Sequence, residues 1–254
     1  MTASIQRLGR TALGVIREMG RMALFLAKAV GYFFLPPFRP RNLLRQIHFI
    51  GLRSLFVICL TAVFSGFVLS LLGYYTLSRF GSSGLLGPAV AFSVIRELGP
   101  VLSGLMVTGL AGSALTAELG IMRIREQLDA LEIMGIQPVQ YLVVPRIQAA
   151  LISLPVLTMI FDVIGILGGY VEAVHLLGMS GGTFIGAIEL GMTDIGISLV
   201  KAVTFGLIIS WVCTYKGFYA LRGAEGVSQA TTSAVVLSSV LILVSDYFIT
   251  SMML

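Results

Sequence analysis

Residues 51–75 read GLRSLFVICLTAVFSGFVLSLLGYY, and the only charged side chain among them, Arg53, stands at the start. A helix needs about 20 apolar residues to cross a bilayer. This stretch is long enough and apolar all round, so it predicts a transmembrane helix rather than the one-sided helix of a soluble domain. Four more stretches are of the same kind. Residues 85–117 are interrupted by Arg96, Glu97 and Pro100; 147–171 carry Asp162; 195–215 carry Lys201; and 230–252 carry Asp246. The expected fold class is all-α: a polytopic membrane helix bundle of about five transmembrane helices. The second stretch leaves two possibilities open, one long tilted helix or a re-entrant piece up to Glu97 followed by a helix from Leu98.

Composition agrees. Of 254 residues, 57% are hydrophobic and 11% charged, where soluble domains run near 25% charged. A soluble fold so poor in charge would expose large apolar patches. The 29 glycines suit close helix packing in lipid. The expected organisation is an interfacial region, 1–50, and a membrane domain, 51–254, with no length left for a soluble catalytic domain.

The net charge of +5 is distributed as a topology signal and does not suggest nucleic acid. Nine of the 17 basic residues precede residue 54; Arg123, Arg125 and Arg146 fall between the second and third spans, and Lys216 and Arg222 between the fourth and fifth. With five spans these share one side, and the opposite loops hold only Arg79. Basic loops stay in the cytoplasm, so the expected topology has the N-terminus inside and the C-terminus outside.

Arg7, Arg10, Arg17, Arg21 and Lys28 fall on one narrow stripe of a helix. Leu8, Val15, Met19, Met22 and Leu26 lie elsewhere around it. This predicts an amphipathic helix on the cytoplasmic membrane surface, ended by Pro36, Pro37 and Pro40. A signal peptide is the rival, but Lys28 breaks its apolar core and no small-x-small site follows. Farther on, Ile121, Ile124, Leu128 and Leu131 recur at helical spacing, with Gly135 and Pro138 as a stop. A short helix here, within about 118–136, either rests on the bilayer or docks a cytoplasmic partner.

Ionisable groups inside a span are costly, and they pair or line a wet cavity. Lys201 and Asp246 each lie about six residues, or roughly 9 Å, from the outer end of their spans, so an ion pair between them is geometrically feasible. Asp162 sits somewhat deeper. Arg96 and Glu97 reach a similar level if the second span is continuous. The set serves either to lock the bundle or to wall a cavity open to the outer side. Its near-neutral sum argues against an ion filter. Gly165 and Gly169 form a GxxxG, and Gly109, Ser113 and Ala117 repeat at the same spacing; either face packs helices within a chain or between chains. Cys59 and Cys213 lie in apolar runs and read as small buried hydrophobes.

No Walker loop is present, so this chain does not bind ATP by that motif. There is no HExxH or Cys/His cluster for a metal, and no serine has a nucleophile elbow. No catalytic residue, metal site or cofactor is expected.

The stretch 96–146, RELGPVLSGLMVTGLAGSALTAELGIMRIREQLDALEIMGIQPVQYLVVPR, resembles the signature of MlaE-type permeases of MCE-associated ABC transporters. The pieces RELGPV, AELGIM, EQLDALE and MGIQP match in order, as does GFYALRGAEGVSQATTSAVVLSS, followed by Asp246. The resemblance covers about residues 45–254. It implies a homodimer in the bacterial inner membrane, a cytoplasmic ABC ATPase subunit per permease, a small STAS-domain protein on that ATPase, and an MCE-domain ring on the periplasmic side. It further implies phospholipid as cargo, moving between inner and outer membranes. By the same resemblance, Arg96, Glu97, Lys201 and Asp246 match charged positions of the transport cavity, and Leu69, Leu72 and Leu77 match the span that lines the lipid pocket. Glu118, Arg123, Arg125, Glu126, Asp129 and Leu131 match the coupling helix seated on the ATPase, which favours docking. The family commonly has Arg where this chain has Leu110. A non-transporting scaffold and an ion or small-solute channel are the competing classes. Lipid-stimulated ATPase activity separates the first from a transporter, and current in planar bilayers would identify the second.

Overall fold

The computed structural model describes residues 2–33 and 40–253, with the side chains of 2–12 and 15 left aside. The expected stop at Pro36 and Pro37, and the side chains of Arg7, Leu8, Arg10 and Val15, lie outside the described residues. No strand occurs among the described residues. The helices are α1 (Thr2–Phe33), α2 (Pro40–Arg79), α3 (Ser83–Ile124), α4 (Gln127–Ile133), α5 (Val139–Leu176), α6 (Gly181–Gly186), α7 (Met192–Phe218) and α8 (Ala224–Met253). Five of them, α2, α3, α5, α7 and α8, are long and apolar enough to cross a membrane, so the chain is a multi-pass membrane protein.

The helices outrun the apolar stretches, because helix geometry persists into polar residues until a backbone signal stops it. Pro40 suits the first position of α2, where its missing N–H is not needed. The 50/51 boundary therefore falls inside α2. At the far end Gly81 takes a left-handed φ of 69°. The Ser82 N–H reaches the Leu77 carbonyl at 3.0 Å and the Gly81 N–H that of Ser78 at 3.1 Å, a Schellman closure.

The second stretch is one continuous helix. It carries two π-turns, Val94–Leu98 and Thr108–Gly112, and runs to Ile124, beyond the expected Ala117. Residues 118–136 are accordingly not one coupling helix. Arg125 ends α3, Glu126 is left-handed at φ 57°, and α4 is a separate helix of 7 residues. The reversal folds Leu128 and Leu131 back onto Leu119 and Leu142. A straight helix would leave that apolar face in solvent.

Half of the most apolar window of α3, α5 and α7 is buried, against 22% for α2 and 11% for α8. The first three thus form the interior of the bundle, and α2 and α8 keep broad apolar faces exposed. Gly165 and Gly169 work within the chain: α5 lies so close to α2 that a Cβ on Gly66 would overlap the Gly165 carbonyl, and one on Gly168 would sit 2.7 Å from the Val63 carbonyl oxygen. Gly109, by contrast, faces open space.

The N-terminal half of α2 and the C-terminal halves of α3 and α7 meet at one end of the bundle, where most basic residues lie; this is called the basic end. Here α1 buries Met22, Phe25 and Ala29. The Trp211 indole N–H donates to the Met22 carbonyl at 2.9 Å. Arg17, Arg21 and Lys28 remain exposed on another face of α1.

Candidate functional site

Pro100 is the local origin of the site. It sits in the interior of α3 and has no N–H to offer the preceding turn. The π-turn 94–98 lies directly before it, and the Arg96 carbonyl is taken up from outside the helix, by Lys201 Nζ of α7 at 2.8 Å. The same ammonium donates to Glu97 Oε2 at 2.8 Å and pairs with Asp246 Oδ1 of α8 at 2.8 Å. Thr250 Oγ1 donates to Glu97 Oε1 at 3.2 Å. Lys201 is fully buried, while the side chain of Glu97 is 43% exposed and that of Asp246 17%. A sealed cation thus holds two carboxylates that open outward, and three helices meet on it. Such a cation keeps its charge in the bilayer only through these partners.

Arg96 joins this cluster through its main chain alone. Its guanidinium Nε donates to Asp194 Oδ1 at 2.7 Å and its plane lies over Phe92, 5.1 Å from the ring centre. Asp194 also accepts the Gly191 N–H at 2.9 Å, capping the start of α7. The expected grouping of Arg96, Glu97, Lys201 and Asp246 side chains therefore divides in two. Asp194 and Thr250 were not anticipated. The need of an intramembrane Arg96 for a counter-charge was the signal for Asp194, which stands one residue before the expected span. Asp162 belongs to neither group: Ser198 Oγ donates to its Oδ2 at 3.3 Å, and its carboxyl lies over Gly99, where a Cβ would stand 2.9 Å from Cγ.

An apolar cleft of about 530 Å³ opens between α2 and α3. Leu69 and Leu72 line it with Phe64 and Val68 from α2, and Leu98 and Leu102 from α3. Leu77 does not. It packs against the core, because the five residues from Leu72 turn it about 140° around the helix. Leu98 follows Glu97 directly, so the apolar cleft and the polar cluster draw on the same turn of α3, from side chains about 100° apart around it. Leu110 lies in the second π-turn of this helix, partly exposed.

At the basic end the expected coupling residues are mostly paired within the chain. Glu118 Oε2 pairs with the buried Arg146 at 3.0 Å. Arg123 pairs with Asp129 across the break at 2.6 Å, and Glu126 with Arg222 at 3.5 Å. Leu131 packs against Leu119 and Leu128. Arg125 is exposed, and so are Ile133 and Met134 at the C-terminal end of α4.

The family profile described as Permease MlaE matches residues 43–252. A "Probable ABC transporter permease protein" of Rickettsia felis is 43% identical, over 96% of this chain and 95% of its own. The "Intermembrane phospholipid transport system permease protein MlaE" of Haemophilus influenzae is 38% identical, over 98% and 97%. The chloroplastic protein TRIGALACTOSYLDIACYLGLYCEROL 1 of Arabidopsis thaliana is 34% identical, over 83% of this chain and 61% of its own. With the profile spanning most of the chain and one polar cluster and one apolar cleft built from its most signature-rich helix, the chain belongs to the MlaE permease family.

Proposed function

We propose that this chain is the permease subunit of an ABC transporter that moves phospholipid between the inner and outer membranes of a bacterium. Its basic end faces the cytoplasm, in keeping with the distribution of Lys and Arg. Two copies form a homodimer. A separate ABC ATPase, with or without a STAS-domain partner, seats on the tip formed by Arg125, α4, Ile133 and Met134. An MCE-domain protein receives or delivers lipid at the opposite, periplasmic end. The chain itself catalyses no reaction and binds no cofactor.

The observation that carries this is an apolar cleft and the Lys201–Glu97–Asp246 cluster that draw on the same turn of α3 through Leu98 and Glu97. A phospholipid has the same two-part character. Acyl chains fit Leu69, Leu72 and Leu102, and a headgroup fits beside the partly exposed Glu97. An ion channel needs a continuous polar path, and this cleft has almost none along its walls.

Site-specific photo-crosslinking tests it. A photoreactive residue at Leu72 or Leu102 is expected to capture phospholipid in the assembled complex, with a yield that changes when ATP is added. The same residue at Val156, exposed on α5, is expected to capture bulk lipid independently of ATP. Yields at Leu72 and Leu102 that match Val156 and ignore ATP would remove the cleft from the transport path. A scaffold is expected to show no stimulation of the partner ATPase by lipid.

A further inference from the structure

A second cavity, of about 560 Å³, lies at the basic end between α1, the end of α7 and the start of α8. It shares no residue with the cleft of α2 and α3. Arg17 and Arg21 line it from α1, Lys216 and Tyr219 from α7 and the turn after it, and Gln229 and Ser233 from α8. Arg17 and Arg21 are four residues apart and so project from one helical face. All 12 acidic residues of the chain are described, and among the described residues no carboxylate pairs with either arginine. Lys216 differs, because it is held by Glu18. The other acid near the rim, Glu225, accepts a hydrogen bond from Gln229 Nε2 at 3.2 Å. The cavity thus keeps two uncompensated guanidinium groups, with tyrosine, amide and hydroxyl donors opposite them.

Its level in the membrane is marked independently. Phe25 packs on Tyr215 and Phe218 at 5.6 Å in each case and on Tyr219 at 6.0 Å, with Trp211 bonded to α1 close by. Such aromatic belts sit at the height of lipid headgroups. A bilayer offers one abundant anion at that height, the phosphodiester. Arginine recognises phosphate by paired N–H donors as well as by charge, and basic pockets between helices at the cytoplasmic face hold anionic headgroups.

We infer that the cavity between α1, α7 and α8 is a binding site for a phosphate-bearing anion, filled by the headgroup of an anionic phospholipid. It is separate from the cargo cleft and fastens α1 to the bundle. Arg17 and Arg21 hold the phosphate, and Gln229 and Ser233 meet it from α8.

The test uses the full chain in neutral detergent micelles. Retention of phosphatidylglycerol is counted by native mass spectrometry and titrated through the fluorescence of Trp211, the single tryptophan. Wild type is expected to bind phosphatidylglycerol saturably and phosphatidylcholine weakly. The double variant R17Q/R21Q is expected to lose on the order of thirtyfold in affinity, while R79Q at the opposite end of the bundle binds as wild type. Both arginines are exposed, so the double variant folds, and it keeps the Leu72 crosslink if the cargo cleft is a different site. Inorganic phosphate that displaces the lipid at millimolar concentration, with the same arginine dependence, supports the site and makes free phosphate a second source of the anion. Undiminished binding by R17Q/R21Q, equal loss in R79Q, or no retained phosphatidylglycerol would overturn the inference.

Discussion

Lys201→Met is the sharpest perturbation available. Methionine keeps the length of the side chain and removes the charge, so the packing around the buried stem is largely retained. Two acceptors lose their donor, Glu97 Oε2 and the Arg96 carbonyl, and Asp246 Oδ1 loses its ion-pair partner, each at 2.8 Å in the native protein. The cluster passes from a net charge of −1 to −2, with two carboxylates facing one another. Removing one partner from a buried ion pair costs about 3–5 kcal/mol. The lower figure applies here, because Glu97 is 43% exposed and regains solvent or headgroup contacts. A loss of about 3 kcal/mol lowers the midpoint of thermal unfolding by roughly 6–12 °C for a chain of this size. Asp246→Asn is milder, about 1 kcal/mol, since Lys201 keeps Glu97 and the charges balance. The double variant K201M/D246N is expected to be more stable than K201M alone, because only the better-exposed carboxylate remains. The assay is unfolding in nanodiscs followed by Trp211 emission, with size-exclusion recovery as a check. A K201M protein that melts within about 2 °C of wild type, or a D246N protein less stable than K201M, would refute the view that Lys201 holds these three helices together.

Two further outcomes follow from close packing. Gly66→Ala forces α2 away from α5, since its Cβ overlaps the Gly165 carbonyl and lies 2.9 Å from the Gly169 nitrogen; a loss of about 2 kcal/mol should appear as a lower unfolding midpoint, whereas Gly51→Ala, facing open space, should leave it unchanged. Gly99→Ala drives a methyl into the Asp162 carboxyl and is expected to cost about 2 kcal/mol, with the penalty reduced when Asp162→Ala is added, so a double-mutant cycle with strictly additive losses would contradict the contact.

The five apolar helices were readable in the sequence because lipid imposes a length and a composition that few other settings tolerate. Their ends were not, because hydrophobicity stops where the bilayer stops while the helix continues to a backbone signal such as Gly81. The Lys201–Asp246 pair was readable from depth alone: two opposite charges about six residues from the same surface have few other partners. Arg96 misled because its two functions are carried by different atoms, the guanidinium toward Asp194 and the carbonyl toward Lys201. Leu77 was assigned by resemblance to the lipid pocket, although its angular distance from Leu72 already put it on another face. The break at Glu126 had no sequence signal of the usual kind, since neither Gly nor Pro stands there. The turn follows from tertiary packing of Leu128 and Leu131 and from the Arg123–Asp129 pair across it.

Pro100 shows why the cluster sits where it does. A proline in an aqueous helix frees a carbonyl that water can satisfy; in a bilayer the freed group must find a donor within the protein. Lys201 is that donor, and a buried ammonium has three N–H groups to place. One satisfies the Arg96 carbonyl and one Glu97, while Asp246 pairs with the same ammonium by charge. The proline defect and the buried lysine thus answer each other: each would be costly alone, and together they leave no charge or carbonyl of the trio without a partner. The exposed remainder of the site is then the carboxylate of Glu97, on the same turn as the π-bulge and next to Leu98 of the apolar cleft. Like α5, which has Pro155 and two π-turns of its own, α3 combines a proline with two π-turns, features that locally loosen a helix. Since α3 runs unbroken from this cluster to the hairpin at the basic end, displacement at one end is carried along a single element to the other.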